Sequence, residues 1–237
     1  MRRLDGVPRI HLSEIDSTSL EAARRPPPAW LRADRQTAAR GRRGRPWRSP
    51  AGAFAASLVD APPGRPADHA LRTFVASLAL RDALEELGIG DLALKWPNDL
   101  LLGGRKLAGI LLEAPRPGLL IVGIGVNLGV PPAPDSLEED ALEPAGLGGA
   151  VLPAALMNAL AEAYATREHQ LVTESFAATR TDWIAHAARL GERITVRTMT
   201  EVRTGVFEDI DEAGHLVLGA SDGRRTIPAA DVFFEAA

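Results

Sequence analysis

The sequence has 237 residues, a formal net charge of −4 at pH 7 and no cysteine, with 46% hydrophobic and 24% charged residues. This composition is typical of a globular protein with one sizeable core and a small appended domain, and the lack of cysteine excludes disulfides, thiolate metal sites and a cysteine nucleophile. The net charge argues against nucleic-acid binding by the whole chain. No apolar run approaches the ~20 residues that a bilayer requires, and the N-terminus lacks the apolar segment of a secretory signal, so we expect a cytoplasmic protein without membrane attachment.

The chain opens with a predicted strand over residues 9–15 and a helix that begins within Asp16–Ala23. Thr18 followed three residues later by Glu21 is a capping-box pattern. The prolines at 26–28 end the helix, because proline cannot continue it.

Ser17, Thr18 and Ser19 place a run of hydroxyl groups at the start of this helix. One interpretation is that they only cap the helix. The other is that their hydroxyls, together with the free amides of the first turn, hold the polar atoms of a ligand. The residue pattern alone leaves both interpretations open.

Residues 35–48 are the most charged segment of the chain and contain one aromatic residue, Trp47. The arginines are interleaved with Gly41 and Gly44, which let the backbone approach a ligand closely. The segment could bind RNA, but a single tryptophan offers little stacking surface for bases. A loop that closes over phosphate or carboxylate groups fits better, because the planar fork of arginine suits both anions.

A predicted strand at Phe54–Val59 precedes a predicted helix at Ala67–Leu87. An apolar stripe repeats along the helix, and Gly88 follows as a stop signal. We expect this helix to pack on one face of a sheet, and its His69 to be solvated rather than catalytic. The order strand, long helix, strand is typical of a layered α+β or α/β fold.

Residues 92–113 predict a β-hairpin. Apolar residues alternate from Leu92 to Trp96, and Pro97-Asn98-Asp99 interrupts the alternation. Gly103-Gly104 supplies the positive φ angles that a tight turn requires, and the chain then returns from Lys106 as the second strand. The hairpin therefore carries a lysine at its mouth.

A third strand follows at Leu119–Leu128, in which Gly123, Gly125 and Asn127 share one face. The opposite face is bulky and is predicted to be core, whereas the glycine face has room for a ligand. Lys106 then has two interpretations. It is either a charge that protects an edge strand from aggregation or a cation aimed at bound anionic oxygen.

Beyond Asn127 the sequence predicts an exposed, proline-rich and acidic loop from residue 130 to 147. Two helices follow, one from Pro153 to about Leu171 and one at Glu174–Leu190. His169 and His186 have no partner at a metal-ligand spacing, and we interpret both as surface or packing residues.

From Gly191 the apolar residues recur with a period of two in short segments separated by turns, which predicts a small SH3-like β-barrel. We therefore expect two domains, at 1–189 and 190–237. Acidic residues outnumber basic ones over 190–237, so nucleic-acid binding by this barrel is not favoured.

Three motifs, in this order, closely resemble the catalytic domain of biotin protein ligases: Lys-Trp-Pro-Asn-Asp-Leu at 95–100, Lys-Leu-Ala-Gly-Ile-Leu at 106–111 and Gly-Ile-Gly-Val-Asn at 123–127. The arginine segment resembles that family's Gly-Arg-Gly-Arg-Arg-Gly-x-x-Trp motif, with Ala39 in place of the first glycine. The hydroxyl run resembles its Ser-Thr-Asn sequence, with Ser19 in place of asparagine. The resemblance implies an α+β fold, in which a mixed sheet with flanking helices of the class II synthetase-like kind stands beside an SH3-like C-terminal domain.

The resemblance also implies a reaction. Such ligases convert ATP and biotin into biotinyl-5′-AMP and pyrophosphate, and then pass the biotinyl group to a lysine of a biotin carboxyl carrier protein. Mg²⁺ is expected with ATP, and a homodimer is compatible with the resemblance. Many bacterial relatives carry an N-terminal helix-turn-helix that binds DNA, but nothing that could fold as one precedes Arg9, so we expect no DNA binding.

By the same resemblance, individual residues acquire expected roles. Lys106 and Arg40 are the expected catalytic residues. The biotin-binding residues would be Ser17, Thr18, Ser19, Gln36, Arg40, Gly41, Arg42, Lys106 and Gly109. The ATP-binding residues would be Arg42, Trp47, Lys95, Asn98 and Asn127. Asp99 is a candidate ligand for Mg²⁺ and equally a candidate turn cap.

Two alternatives to the ligase interpretation stay open. The first is a lipoate or octanoyl ligase or transferase of the related fold. The second is a non-catalytic RNA-binding module that uses Arg40–Arg48. A basic patch alone gives no reason for the hairpin that carries Lys95 and Lys106.

Overall fold

The computed structural model describes residues 4–133, 142–228 and 230–234. Within these residues the strands form two sheets and the helices pack against the larger one. The strands are β1 (Arg9–Ile15), β2 (Ala29–Gln36), β3 (Phe54–Asp60), β4 (Leu92–Lys95), β5 (Asp99–Leu102), β6 (Arg105–Glu113), β7 (Leu120–Val126), β8 (Arg193–Arg197), β9 (Val202–Ile210), β10 (Leu216–Ala220), β11 (Gly223–Ile227) and β12 (Asp231–Phe234). The helices are α1 (Thr18–Ala22), α2 (Pro66–Ala70), α3 (Arg72–Glu86) and α4 (Pro153–Ala185).

The larger sheet has seven strands in the order β1-β2-β3-β7-β6-β5-β4. Strand β1 is parallel to β2, and the other neighbours are antiparallel. The mixed sheet with flanking helices that the sequence predicts is therefore present. The turn between β5 and β6 is the predicted one, since Gly103 and Gly104 have φ angles of 54° and 75°.

The central strands β3 and β7 are buried on both faces, and their side chains alternate between two environments. Leu58, Val122 and Ile124 belong to the main core together with residues of α3 and α4. Val59 and Ile121 face the other way, into a smaller apolar cluster beneath α1. The glycines of β7 share this second face, so the bulky face is core, as predicted.

The predicted helix at 67–87 is divided into α2 and α3. A tight turn at Leu71, whose carbonyl accepts a 3.0 Å hydrogen bond from Phe74 N, separates them. His69 lies in α2 and is only 7% exposed, so the prediction that it is solvated was wrong. The turn changes the rotational phase between the two helices, and a pattern read as one continuous helix misplaces the residues before it.

The two helices predicted at 153–171 and 174–190 correspond to α4, which is interrupted at Ser175 with φ 68°. The helix ends at Ala185 rather than at Leu190. The helix packs along α3, and Phe74 contacts Trp183 and Phe176 edge-on. In the described ranges, no helix combines the length and apolarity that a bilayer crossing requires.

The smaller sheet has five antiparallel strands in the order β11-β10-β9-β8-β12, consistent with the predicted SH3-like barrel. It is joined to the larger sheet by a 3.1 Å hydrogen bond from Trp96 Nε1 to Gly214 O. Strand β2 was not predicted, because Arg32, Asp34 and Arg35 interrupt its apolar residues. Residues 134–141 of the predicted acidic loop lie outside the described residues.

A buried ion pair joins α3 to α4, with Arg72 Nη2 2.6 Å from Glu168 Oε1 and side chains only 4% and 11% exposed. We predict that Glu168→Gln lowers the free energy of unfolding by about 3 kcal/mol, because it leaves a buried guanidinium uncompensated. The double variant Arg72→Met/Glu168→Leu should lose less, since it removes both charges. Chemical denaturation followed by circular dichroism measures both. A smaller loss in the single variant than in the double one would contradict the expectation.

Candidate active site

A cavity of about 750 Å³ lies on the glycine face of β6 and β7. The start of α1, the arginine segment after β2, and strands β8 and β12 of the smaller sheet complete its walls. All of the predicted site residues line it: Ser17, Thr18, Ser19, Gln36, Arg40, Gly41, Arg42, Trp47, Lys95, Asn98, Asp99, Lys106, Gly109 and Asn127. Side chains from distant parts of the sequence thus converge on one space.

One end of the cavity is a network of hydroxyl and amide groups. The backbone N and Oγ1 of Thr18 donate to Gln36 Oε1 at 2.7 and 3.0 Å. Ser57 Oγ donates to Thr18 Oγ1 at 2.9 Å and lies 3.2 Å from Ser19 Oγ. Because Gln36 Oε1 accepts both bonds from Thr18, the amide Nε2 is the group that Gln36 can offer to a ligand as a donor.

The helix cap differs from the prediction. Ser17, not Thr18, is the N-cap of α1, and its hydroxyl accepts from Leu20 N at 3.5 Å. The backbone N–H of Thr18 instead donates to Gln36 of β2, and its hydroxyl accepts a hydrogen bond from Ser57 of β3. The capping-box prediction for Thr18 was therefore wrong, because tertiary partners outside the helix compete for its hydroxyl.

The arginine segment, Arg40–Arg48, folds into a closed loop over the cavity, which we call the arginine loop. Gly41 N donates to Arg45 O at 2.7 Å, and Trp47 N donates to Ala39 O at 3.0 Å. At its tip the chain turns through Arg43, whose φ of 56° is in the left-handed region, and Gly44, with φ 75°.

The smaller sheet contacts this loop through Asp231, which the sequence did not single out. Its Oδ2 accepts from Arg43 Nη1 at 2.8 Å and from Arg45 Nη2 at 2.6 Å. Arg42 Nη1 lies 3.9 Å from Oδ1 and donates to Asn98 Oδ1 at 3.4 Å. Burial lowers the pKa of Arg42, and the charge of Asp231 opposes that effect. Nothing in the local sequence around Asp231 distinguishes it from an ordinary strand residue.

Lys95 and Lys106 are the only lysines in the sequence, and both line the cavity on either side of Asp99. Lys106 Nζ lies 2.8 Å from Asp99 Oδ1, and Lys95 Nζ lies 3.9 Å from Oδ2. Burial lowers the pKa of Lys95, which Asp99 counteracts. Burial also opposes ionisation of Asp99, but Lys106 and Lys95 together keep the pKa of this carboxyl below its usual value. Asp99 is thus a counter-ion for both lysines.

The position of β6 in the sheet and the surroundings of Asp99 bear on the predicted roles of Lys106 and Asp99. Strand β6 lies between β5 and β7, so Lys106 is not the edge-strand charge that the alternative interpretation proposed.

Among the described residues there is no group of three His, Cys, Asp or Glu side chains that could hold a metal ion. Because Asp99 already faces two ammonium groups, Mg²⁺ accompanying a nucleotide would be held mainly by phosphate oxygens and water.

The asparagines of the cavity are held by backbone groups. Asn98 Nδ2 donates to Ile110 O at 2.7 Å. Asn127 Nδ2 donates to Ala145 O at 2.9 Å. The buried Oδ1 of Asn127 has no hydrogen-bond partner among the described residues, so it remains an acceptor for a ligand.

Trp47 lies on the glycine face of the sheet. A Cβ atom added at Gly125 would lie 2.7 Å from the indole Cε2 and Nε1, and one at Gly109 would lie 3.0 Å from Cζ3. The ammonium of Lys106 is 5.6 Å from the ring centroid. The absence of side chains at these two glycines is therefore what lets the indole approach the sheet.

Two family models match this chain. One, described as "Biotin/lipoate A/B protein ligase family", matches residues 13–130, and the other, "Biotin protein ligase C terminal domain", matches residues 190–235. The first model defines the class, since it covers most of the larger sheet, α1 and the arginine loop. The second narrows that class to the ligases whose C-terminal domain corresponds to the smaller sheet.

Individual relatives and a solved structure of the same family are similar to this chain over most of its length. A biotin–[acetyl-CoA-carboxylase] ligase of Paracoccus denitrificans is 47% identical over 238 residues, which cover 94% of this chain and 99% of that protein. One of Mycobacterium tuberculosis is 32% identical over 216 residues, covering 85% and 77%. The structure of a biotin protein ligase from Aquifex aeolicus in complex with biotin and ATP superposes with a TM-score of 0.82 at 26% identity, covering 95% of this chain and 97% of the other. The chain belongs to the biotin protein ligase family, which confirms the predicted family and fold.

We predict that Gly125→Ala displaces the indole of Trp47 and raises the KM for ATP about tenfold, because overpacking at a closely contacted site costs ~1–3 kcal/mol. Steady-state kinetics of pyrophosphate exchange measures this. Gly90→Ala is the matched control, since a Cβ atom there would meet nothing within 4 Å and its φ is not positive. Equal kinetics in the two variants would contradict the assigned packing.

Proposed function

We infer that the chain activates biotin with ATP to biotinyl-5′-AMP and pyrophosphate, and transfers the biotinyl group to a lysine of a biotin carboxyl carrier protein. The observation that carries this inference is the cavity itself, where a hydroxyl and amide network, two lysines and the arginine loop meet in a chain of this family. The name of the Paracoccus relative gives acetyl-CoA carboxylase as the protein to which biotin is ligated, and we propose the same class of acceptor here.

The head group of biotin would occupy the network end of the cavity. Its ureido group has one carbonyl and two N–H groups, and Ser17, Thr18, Ser19 and Gln36 offer the complementary acceptors and donors. The hydroxyl of Ser57 is hydrogen-bonded to those of Thr18 and Ser19 and so fixes their positions. A fatty acyl chain has no polar atoms there and would leave buried polar groups unpaired, at a cost of ~1–3 kcal/mol each. This argues for biotin over the lipoate or octanoyl alternative.

The carboxyl end of biotin would lie between Lys106 and Arg40, with Arg42, Gly41 and Gly109 beside it. In the first step a carboxylate oxygen attacks the α-phosphorus, and the bond to pyrophosphate breaks. Both reactants are anions, so positive charge around them lowers the barrier by offsetting their repulsion. Lys106, held by Asp99, would contact the carboxyl oxygen and the α-phosphate.

The nucleotide would be held by Arg42, Trp47, Lys95, Asn98 and Asn127. Lys95 is 8% exposed and remains beside Asp99, which suits a fixed cation that meets phosphate oxygens. The indole of Trp47 can stack on a base or cover the mixed anhydride. Asn127 Oδ1 is an available acceptor for a ribose hydroxyl or an adenine amino group.

In the second step the neutral amine of the carrier lysine attacks the acyl carbonyl, AMP leaves and the amine loses a proton. Lys106 would polarise the carbonyl oxygen in this step as well. The arginine loop, lying over the cavity, would keep water from the mixed anhydride until the carrier arrives.

The RNA-binding alternative is less compatible with the site. The arginine loop lies over a cavity that also holds the hydroxyl network and both lysines, whereas RNA binding requires arginines that face phosphates along an exposed surface. We also propose a domain division at 1–189 and 190–237 and a cytoplasmic location. The absence of DNA binding and the assembly of a homodimer stay predictions.

Biotin-dependent exchange of labelled pyrophosphate into ATP tests the proposed function. We expect exchange with biotin and Mg²⁺ present, and none when biotin is omitted or replaced by lipoate or octanoate. Exchange that follows octanoate or lipoate instead would assign the alternative substrate. No exchange with any of these acids would remove the ligase assignment.

We predict that Lys106→Ala lowers the rate of exchange about 10²–10³-fold, because it removes a cation from the developing negative charge. Arg105→Ala is the matched control, since Arg105 is the neighbouring cation, its side chain is 52% exposed and it does not line the cavity. Thermal unfolding by circular dichroism checks that both variants fold. A folded Lys106→Ala variant with the rate of the Arg105→Ala control would exclude a catalytic role for Lys106.

A further inference from the structure

Asp231 lies at the start of β12, in the smaller sheet, and its side chain is 17% exposed. Two guanidinium groups of the arginine loop donate to one of its oxygens, those of Arg43 and Arg45. A third, that of Arg42, lies 3.9 Å from the other oxygen. A single carboxylate thus compensates part of the charge of three arginines.

The arginine loop requires such a compensation. It carries five arginines within nine residues, and like charges at these separations repel one another. Arg43 also adopts a left-handed backbone conformation, with φ 56° and ψ 26°, which costs a residue other than glycine roughly 1–2 kcal/mol. Such a conformation persists only where its surroundings fix it. The pairing of the Arg43 side chain with Asp231 supplies one such constraint.

The position of Asp231 is itself fixed. Trp96 at the end of β4 donates to Gly214 O, and Arg180 of α4 pairs with Asp209 of β9. These contacts tie the smaller sheet to the larger one. Arg42 also donates to Ala230 O at 3.3 Å, the residue directly before Asp231. The loop is therefore attached to β12, which pairs with β8 on the far side of the cavity.

Pairing with Asp231 leaves further N–H donors on each arginine available to a ligand. A guanidinium group has five N–H donors, so it can bind a carboxylate along one edge and a phosphate along another. A carboxylate behind the guanidinium groups can orient them toward a triphosphate without contacting it.

We propose that Asp231 is a positioning residue that anchors the arginine loop to the smaller sheet and thereby sets the affinity for ATP. It acts through Arg42, Arg43 and Arg45 and not by touching the reacting atoms. The inference rests on the proposed function, since its readout is the exchange reaction.

The test compares Asp231→Asn with Asp222→Asn. Asp222 lies in the turn between β10 and β11 of the same sheet, pairs with Arg225 at 2.7 Å and does not line the cavity. We expect Asp231→Asn to raise the KM for ATP about tenfold, equivalent to ~1.4 kcal/mol, with a smaller change in the KM for biotin and a melting temperature close to that of Asp222→Asn. Asp231→Glu, which keeps the charge, should restore most of the affinity.

A lowered or an unchanged KM for ATP would overturn the proposal. If Asp231 competes with phosphate for the arginines instead of orienting them, Asp231→Asn will lower the KM for ATP, and the proposal is overturned. A KM equal to that of Asp222→Asn overturns it as well. Wild-type protein without exchange activity would refute the proposed function instead, so the two failures are distinguishable.

A second variant covers the case in which Asp231→Asn does not fold. Arg43→Gln/Arg45→Gln removes the same two ion pairs from the loop side. We expect a similar rise in the KM for ATP, and no further rise when Asp231→Asn is added, since both changes break one interaction. Additive effects in the triple variant, or an unchanged KM in the double variant, would exclude the anchoring role.

Discussion

The compensation of clustered positive charge is the constraint on which the rest of the active site depends. Two unit charges 4 Å apart interact by about 4 kcal/mol at an effective dielectric constant of 20, so lysines and arginines cannot line one cavity without counter-charges. Asp99 lies between Lys95 and Lys106, and Asp231 lies behind the arginine loop. Each carboxylate pairs with its cations, and Lys95, Lys106, Arg42 and Arg45 all line the cavity.

The fold makes room for this cluster by separating the two faces of one sheet. In β7 the bulky residues enter the core that α3 and α4 cover, and the glycines face the cavity. The same alternation places Gly109 of β6 under Trp47. A ligand and the indole can therefore lie close to the backbone, where Asn127 and Lys106 are held by their own strand partners and by residues 143–145.

The smaller sheet contributes to the walls of the candidate active site. Its strands β8 and β12 line the cavity, and its Asp231 binds the loop that lies over the cavity. The loop is thereby connected to the smaller sheet by ion pairs. In physical terms, the entropy lost in ordering a charged loop is offset in part by ion pairs to an element that is already fixed.

The sequence by itself determined the features that depend on local periodicity and turn chemistry. The hairpin at 92–113 follows from alternation and a Gly-Gly turn, and the face shared by Gly123 and Gly125 follows from the two-residue period of a strand. The motifs on these elements also identified the family, and with it the residues that line the cavity. These are short-range properties, so they can be read without knowing the fold.

Only the tertiary structure decided which partners compete for each polar group. Thr18 bonds to Gln36 instead of capping its helix, His69 is buried because a turn separates α2 from α3, and Asp99 is a counter-ion for two lysines. Asp231 meets Arg43 across 188 positions of sequence. No local pattern encodes such contacts, because their free energy depends on distances that exist only after the chain has folded.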